Sequence, residues 1–182
     1  MSLGIGESAG VQFARVERWQ HRMELIRKGE ILPFGPQDDL LDYTLSFFMN
    51  CHHLKDWLGQ DRVWQAGREI TTEEAKTAVE QFINENEALR ICADLCNGTK
   101  HLTHNSGRSG REPKLGISHT RFTFDGEKTM QQQEIHLDTS LGMVNALALS
   151  KECLELWRAF MRMNKQDLQG LATRFVKIRP KS

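Results

Sequence analysis

Between Glu7 and Lys28 the apolar residues Val11, Phe13, Ala14, Val16, Trp19, Met23 and Ile26 return at helical spacing among charged neighbours, which predicts an amphipathic first helix. The pattern stops at the two prolines and glycine of the segment 31–36 and resumes from about Gln37 to Leu58, where Asp38 or Asp39 favours a second helix start through the helix dipole. A polar connector containing Gly59 and Gly67 leads to Thr71-Thr72-Glu73-Glu74, a threonine cap followed by glutamate. From Thr72 the helical period predicts one long third helix to about His104, with Gly98 as its weakest point.

Beyond it, residues 104–116 are rich in Gly, Ser and basic side chains and read as a flexible basic loop. Polar and apolar residues then alternate over Thr120–Phe124 and Gln133–Leu137, on either side of the turn signal Asp125-Gly126. That pattern predicts a β-hairpin at about 117–137. Asp138-Thr139-Ser140 is placed to cap a last long helix carrying Met143, Val144, Leu147, Leu154, Trp157, Phe160 and Met161. Apolar almost all round, such a helix is either central or part of a homodimer interface. The fold class expected is mainly α, a bundle of four or more helices with an inserted β-hairpin, in a single domain over 1–182.

The 182 residues carry 24 basic and 24 acidic side chains, and no apolar run approaches the roughly 20 residues that cross a bilayer. The N-terminal stretch lacks the basic and apolar regions of a secretory signal, so the expected location is cytoplasmic, without a membrane partner. The zero net charge hides a segregation: Leu156–Ser182 holds seven basic residues and one acidic, whereas Ile70–Asp94 holds six acidic and two basic. Cys51, Cys92, Cys96 and Cys153 form no CxxC pair, and each sits in an apolar helical pattern. Buried free thiols are the expected reading, although Cys92 and Cys96, one turn apart, share a helix face.

Two helices carry polar residues where their wheels are apolar. On the second, Leu40, Tyr43, Phe47, Cys51, Leu54 and Leu58 centre the apolar face; Lys55 falls inside it, with His52 and Asp56 on the adjacent flank. On the third, Arg90, Asp94, Asn97 and His101 form a polar stripe walled by Leu89, Ala93 and Cys96 on one side and Ile91, Leu95 and Leu102 on the other, with Lys100 and His104 near the end. A lysine in such a place must snorkel out, find a carboxylate or line a polar pocket, because an unpaired buried charge is costly. The stripes either satisfy themselves, with Arg90 paired to Asp94, or face each other and form a site.

The segments Asn50–Leu58 and Ile91–Leu102, with Asn97-x-x-Lys100-His101 near a helix end, resemble helical-bundle proteins of the HEPN superfamily. The arginine of the usual motif is absent, its positions being taken by Asp94, Leu95 and Cys96. The resemblance implies a helical bundle, commonly dimeric, and a metal-independent ribonuclease or RNA-interacting role in a toxin or defence system, with His101 as motif histidine. In that chemistry His101 or His52 would move the proton of a 2′-hydroxyl, and Lys55, Lys100 or Arg90 would stabilise the developing phosphorane charge. No cofactor is expected. A binding module would use Arg90, Asp94, Asn97, Lys100 and Asp56 to hold RNA or a nucleotide without cutting it, the basic loop adding Arg108, Arg111 and Lys114. Two alternatives stand beside these: a metal-dependent enzyme using His52, His53, Asp56, His101 and His104, and a structural or interaction protein with no active site.

Overall fold

The computed structural model describes residues 8–30, 38–100, 108–110, 113–124 and 129–178. Among them are seven helices and three strands, in the order α1 (Ala9–Lys28), α2 (Asp38–Leu58), α3 (Arg62–Ala66), α4 (Thr72–Glu85), α5 (Glu87–Lys100), β1 (Lys114–Phe124), β2 (Thr129–Thr139), β3 (Gly142–Asn145), α6 (Ala146–Arg162) and α7 (Lys165–Ile178). The fold is mainly helical with an antiparallel hairpin, as the periodicity predicts. No described helix is long and apolar enough to cross a membrane.

α2 lies at the centre, packed against α1, α4, α5, α6 and β2. Its Phe47, Cys51, Leu54 and Leu58 are fully buried. α1 starts on Ser8, whose side chain accepts from the Val11 N–H, and ends on Gly29, whose left-handed φ of 74° suits a glycine at that cap. The connector predicted between the second and third helices contains the short α3, capped by Asp61. Just after α3, Arg68 reaches across to the end of α6. Its guanidinium donates to the Trp64 carbonyl at 3.2 Å, to the Met163 carbonyl at 3.1 Å and to the Met161 carbonyl, and lies over the Trp64 ring.

The long third helix of the sequence reading is two helices. At Asn86 the backbone becomes extended (φ −120°, ψ 114°), and the Asn86 side chain donates to the Phe82 carbonyl at 2.7 Å in place of a backbone amide. An asparagine that satisfies the preceding turn in this way competes with helix continuation. The break sends α4 against α7 and α5 against α2. α4 begins with a full capping box between Thr71 and Glu74. Gly98, by contrast, does not end α5, which runs on to Lys100.

β1 and β2 pair from Lys114 with Asp138 to Phe124 with Thr129, with a register shift between Leu115 and Ser118. The hairpin is therefore longer than the alternation alone implies, and its turn lies outside the described residues. β3 adds a third strand to β2. The expected cap at Asp138-Thr139-Ser140 belongs to the sheet instead, because the period-two burial of Ile135, Leu137 and Thr139 carries β2 that far. Thr139 closes the next turn through the Gly142 carbonyl (3.0 Å) and the Leu141 N–H (3.1 Å), and Gly142 adopts φ 83°. The true cap of α6 is Asn145, accepting from the Leu147 and Ala148 amides.

α6 supplies Cys153, Leu154, Trp157 and Phe160 to the core, while Lys151, Glu152 and Glu155 are exposed. Its apolar side is thus covered within the chain. Phe82, Trp157 and Phe160 form an aromatic cluster with centroids 5.0 to 6.2 Å apart, and Trp64 stacks on Phe160. α7 adds a further helix of 14 residues after α6. It buries Leu168 and Leu171 and ties its polar side to the α3–α4 region through Arg174–Glu85, Gln169–Glu74 and Lys165–Glu69. The basic tail and the acidic stretch of the sequence meet directly in the Arg174–Glu85 pair.

A side chain built on Gly98 meets no atom within 4 Å. Gly98→Ala should therefore stabilise the protein by about 0.4–1 kcal/mol, by restricting the unfolded chain and favouring helix. Urea unfolding of the two proteins measures this; a lower midpoint for the variant would show that α5 needs glycine there.

Candidate functional site

The packing of α5 on α2 and of α4 beside them brings the two polar stripes toward a common neighbour, the short described turn at residues 108–110. Asp94, buried among Ile91, Ala93, Leu95 and Cys96, is the anchor. Its Oδ1 accepts from the Arg108 backbone N–H at 2.6 Å, and its Oδ2 accepts from the Ser109 N–H and the Ser109 hydroxyl, each at 2.7 Å. Three donors on one carboxylate offset the desolvation that burial imposes on it. The loop is thereby held down on α5.

With its backbone fixed, Arg108 extends its guanidinium to Glu80 on α4 (2.8 Å to Oε2), and Lys55 on α2 meets the other oxygen of the same carboxylate (3.0 Å to Oε1). Burial works against the Glu80 carboxylate, but hydrogen bonds from Arg108 and Lys55, together with their charges, outweigh it and hold its pKa below the usual range. The three side chains remain between a fifth and a third exposed, so the pair of cations is reachable from solvent. This is how Lys55, placed by the wheel inside an apolar sector, is satisfied.

His52 is buried, one turn before Asp56 and beside this cluster. Desolvation, and then the charges of Lys55, Arg108 and His53, push its pKa down to about 3, against a smaller opposing pull from Glu80. The imidazole is neutral across the physiological range. It can accept or donate a hydrogen bond, but it does not hold a proton to give away at neutral pH.

The remaining residues singled out by sequence divide clearly. Arg90 does not pair with Asp94; its guanidinium goes to Glu87, which also accepts from the Ser140 hydroxyl at the sheet turn. The reason is spacing along α5: Glu87 sits one turn before Arg90, while Asp94 is already filled by the loop. Asn97 is half-buried. Asp56 is exposed and lines a separate groove of about 260 Å³ with Trp57, Gln60 and Asp61. Lys100 ends α5, and His101 and His104 lie outside the described residues, as does Arg111. Glu80 is the member that sequence reasoning missed. Its signal was available in retrospect: it is an acidic residue between Val79 and Gln81, within the partly apolar run that faces the core.

A second cluster was also missed. Cys92 does not act with Cys96; its sulfur meets those of Cys51 and Cys153, all three buried and their sulfur atoms lying within 4.8 Å of one another. Cys96 instead approaches His53, 3.9 Å from sulfur to Nε2. Three helices contribute to the trio, so no short-range spacing could announce it.

No family model, curated protein or solved structure matches this chain. The likeness to HEPN proteins rests on the quoted residues alone.

The depressed pKa of His52 has a consequence for stability. Unfolded histidine, near 6.5, takes up a proton that folded His52 refuses down to about 3, so this contribution is fully present above pH 6.5 and is lost as pH falls toward 3. Between pH 7 and pH 5 the loss attributable to His52 should be about 2 kcal/mol. Urea unfolding at the two pH values, compared with His52→Gln, measures it; equal pH dependence in both proteins would contradict the buried neutral assignment.

Proposed function

We propose that this chain is a non-catalytic helical module that holds a phosphate-bearing ligand, RNA or a nucleotide, through Lys55 and Arg108. The observation that carries the reading is the convergence of two cations from separate parts of the chain on the single carboxylate of Glu80, at a solvent-reachable position whose backbone is fixed by Asp94. Lys55 and Arg108 share one carboxylate at the surface, while the second negative charge, Asp94, is buried beneath the loop and already hydrogen-bonded. A phosphate oxygen offers both donors the same geometry that Glu80 offers now.

The described members of the site support binding over cleavage. His52 carries no proton to donate near neutral pH, and none of Asp94, Leu95 and Cys96, at the positions corresponding to the motif arginine, is basic, Asp94 being already hydrogen-bonded by the loop. Proton transfer to a leaving group would have to come from elsewhere. Resemblance to HEPN proteins supports the RNA side of the reading, in the manner of a family member that has kept the bundle and lost the reaction.

A competing reading has its own observation: each cation is already paired, so the cluster is a clasp that closes the loop and nothing more. One set of measurements separates the two. Fluorescence anisotropy with a labelled single-stranded RNA at low salt should show binding that weakens with added salt; Lys55→Ala and Arg108→Ala should each weaken it and reduce the salt slope by about one. Glu80→Gln, which releases both cations, should tighten it. If the parent protein binds neither RNA nor ATP at low salt and Glu80→Gln only lowers stability, the clasp reading stands and the proposal falls.

A further inference from the structure

Cys51 of α2, Cys92 of α5 and Cys153 of α6 project from three different helices to one point in the core. Single buried cysteines are ordinary small apolar residues. A mutual contact of three differs from that, because each sulfur replaces a carbon that would pack as well. Sulfurs within 4.8 Å of one another have a common point at most about 2.8 Å from each, a few tenths of an ångström beyond a metal–thiolate bond of ~2.3 Å. Small rotations about the side chains would close that gap.

Two of the sulfurs are already oriented. The Cys92 and Cys153 thiols reach backbone carbonyls of neighbouring helices, Phe48 at 3.4 Å and Ala88 at 3.5 Å, which fixes their rotation.

We propose that Cys51, Cys92 and Cys153 form a three-sulfur site for a soft monovalent cation, Cu(I). Sulfur-only donors select soft ions. Zinc in a closed protein site takes four ligands, and in an open one it completes its shell with water. Among the described residues no fourth donor joins the trio, and the fully buried setting leaves water no approach. Cu(I) is satisfied by two or three sulfurs. Binding is a ligand exchange with no change of oxidation state: the ion leaves its carrier, sulfur–copper bonds form, and the displaced thiol protons pass to solvent.

The test uses the full-length protein, reduced and kept free of oxygen, offered Cu(I) as its bicinchoninate complex both in the native state and during refolding from denaturant. The expected result is one copper retained per chain against the chelator, near-ultraviolet sulfur-to-copper absorption, and a raised melting temperature. Cys51→Ala, Cys92→Ala and Cys153→Ala should each abolish stoichiometric retention, and Cys96→Ala should leave it intact. Because core variants can lose their fold, X-ray absorption at the copper edge of the loaded parent protein provides a second reading, with three sulfur neighbours expected. No copper retained by either route, nitrogen or oxygen in the copper shell, or Zn(II) retained more tightly than Cu(I) would overturn the assignment.

Discussion

The packing of α2 against five other elements is the constraint that organises this molecule. Apart from the exposed Asp42 and Asp56, the described polar residues of a helix covered by α1, α4, α5, α6 and a strand have little access to water and depend on partners within the protein. Lys55 obtains Glu80, Asn50 turns back to the Ser46 carbonyl and receives Gln12 from α1, and His52 stays neutral. Cys51, lacking a polar side-chain oxygen to meet, is surrounded by other sulfurs. The two sites discussed above are therefore not separate inventions. They lie one turn apart on the same helix and arise from the same shortage of solvent.

Asp94 plays the complementary part on α5. A buried carboxylate is tolerable when donors reach it, and here the donors are backbone groups of a loop fourteen and fifteen residues further on. Because those donors are neutral, the charge of Arg108 remains available to Glu80, and the charge of Glu80 is divided between two cations. Electrostatic balance in this region is thus settled by a sequence of local neutralisations. A further local neutralisation joins α4 to α7, where Arg174 meets Glu85.

What could be read from the sequence follows the range of the interactions involved. Periodicity located α1, α2 and the hairpin, because amphipathic spacing is a property of one segment at a time. It also marked Lys55 and Asp94 as polar residues among apolar neighbours; Asp94 is buried and Lys55 half-buried, and both are partnered. Failures came where a local rule had a competitor. Asn86 broke a helix that propensity would continue, and Asn145 took the capping role expected of Asp138-Thr139-Ser140 because strand alternation ran through that segment. Partners drawn from remote segments, Glu80 for Lys55 and Cys153 for Cys51, were invisible for a simpler reason: nothing in either helix encodes the other.

The docking of α7 on α4 bears on how the chain is made. About eighty residues separate the end of α4 from the start of α7, and the whole of α5, the sheet and α6 intervene. During synthesis, α4 therefore emerges long before Leu168 and Leu171 arrive to cover it, and Glu74 and Glu85 wait as long for Gln169 and Arg174. Arg68 is in the same position with respect to the carbonyls at the end of α6. The amino-terminal helices must hold together on α2 in the interim, with one acidic and half-apolar flank open, and the last helix completes the protein as a lid closes a box already built.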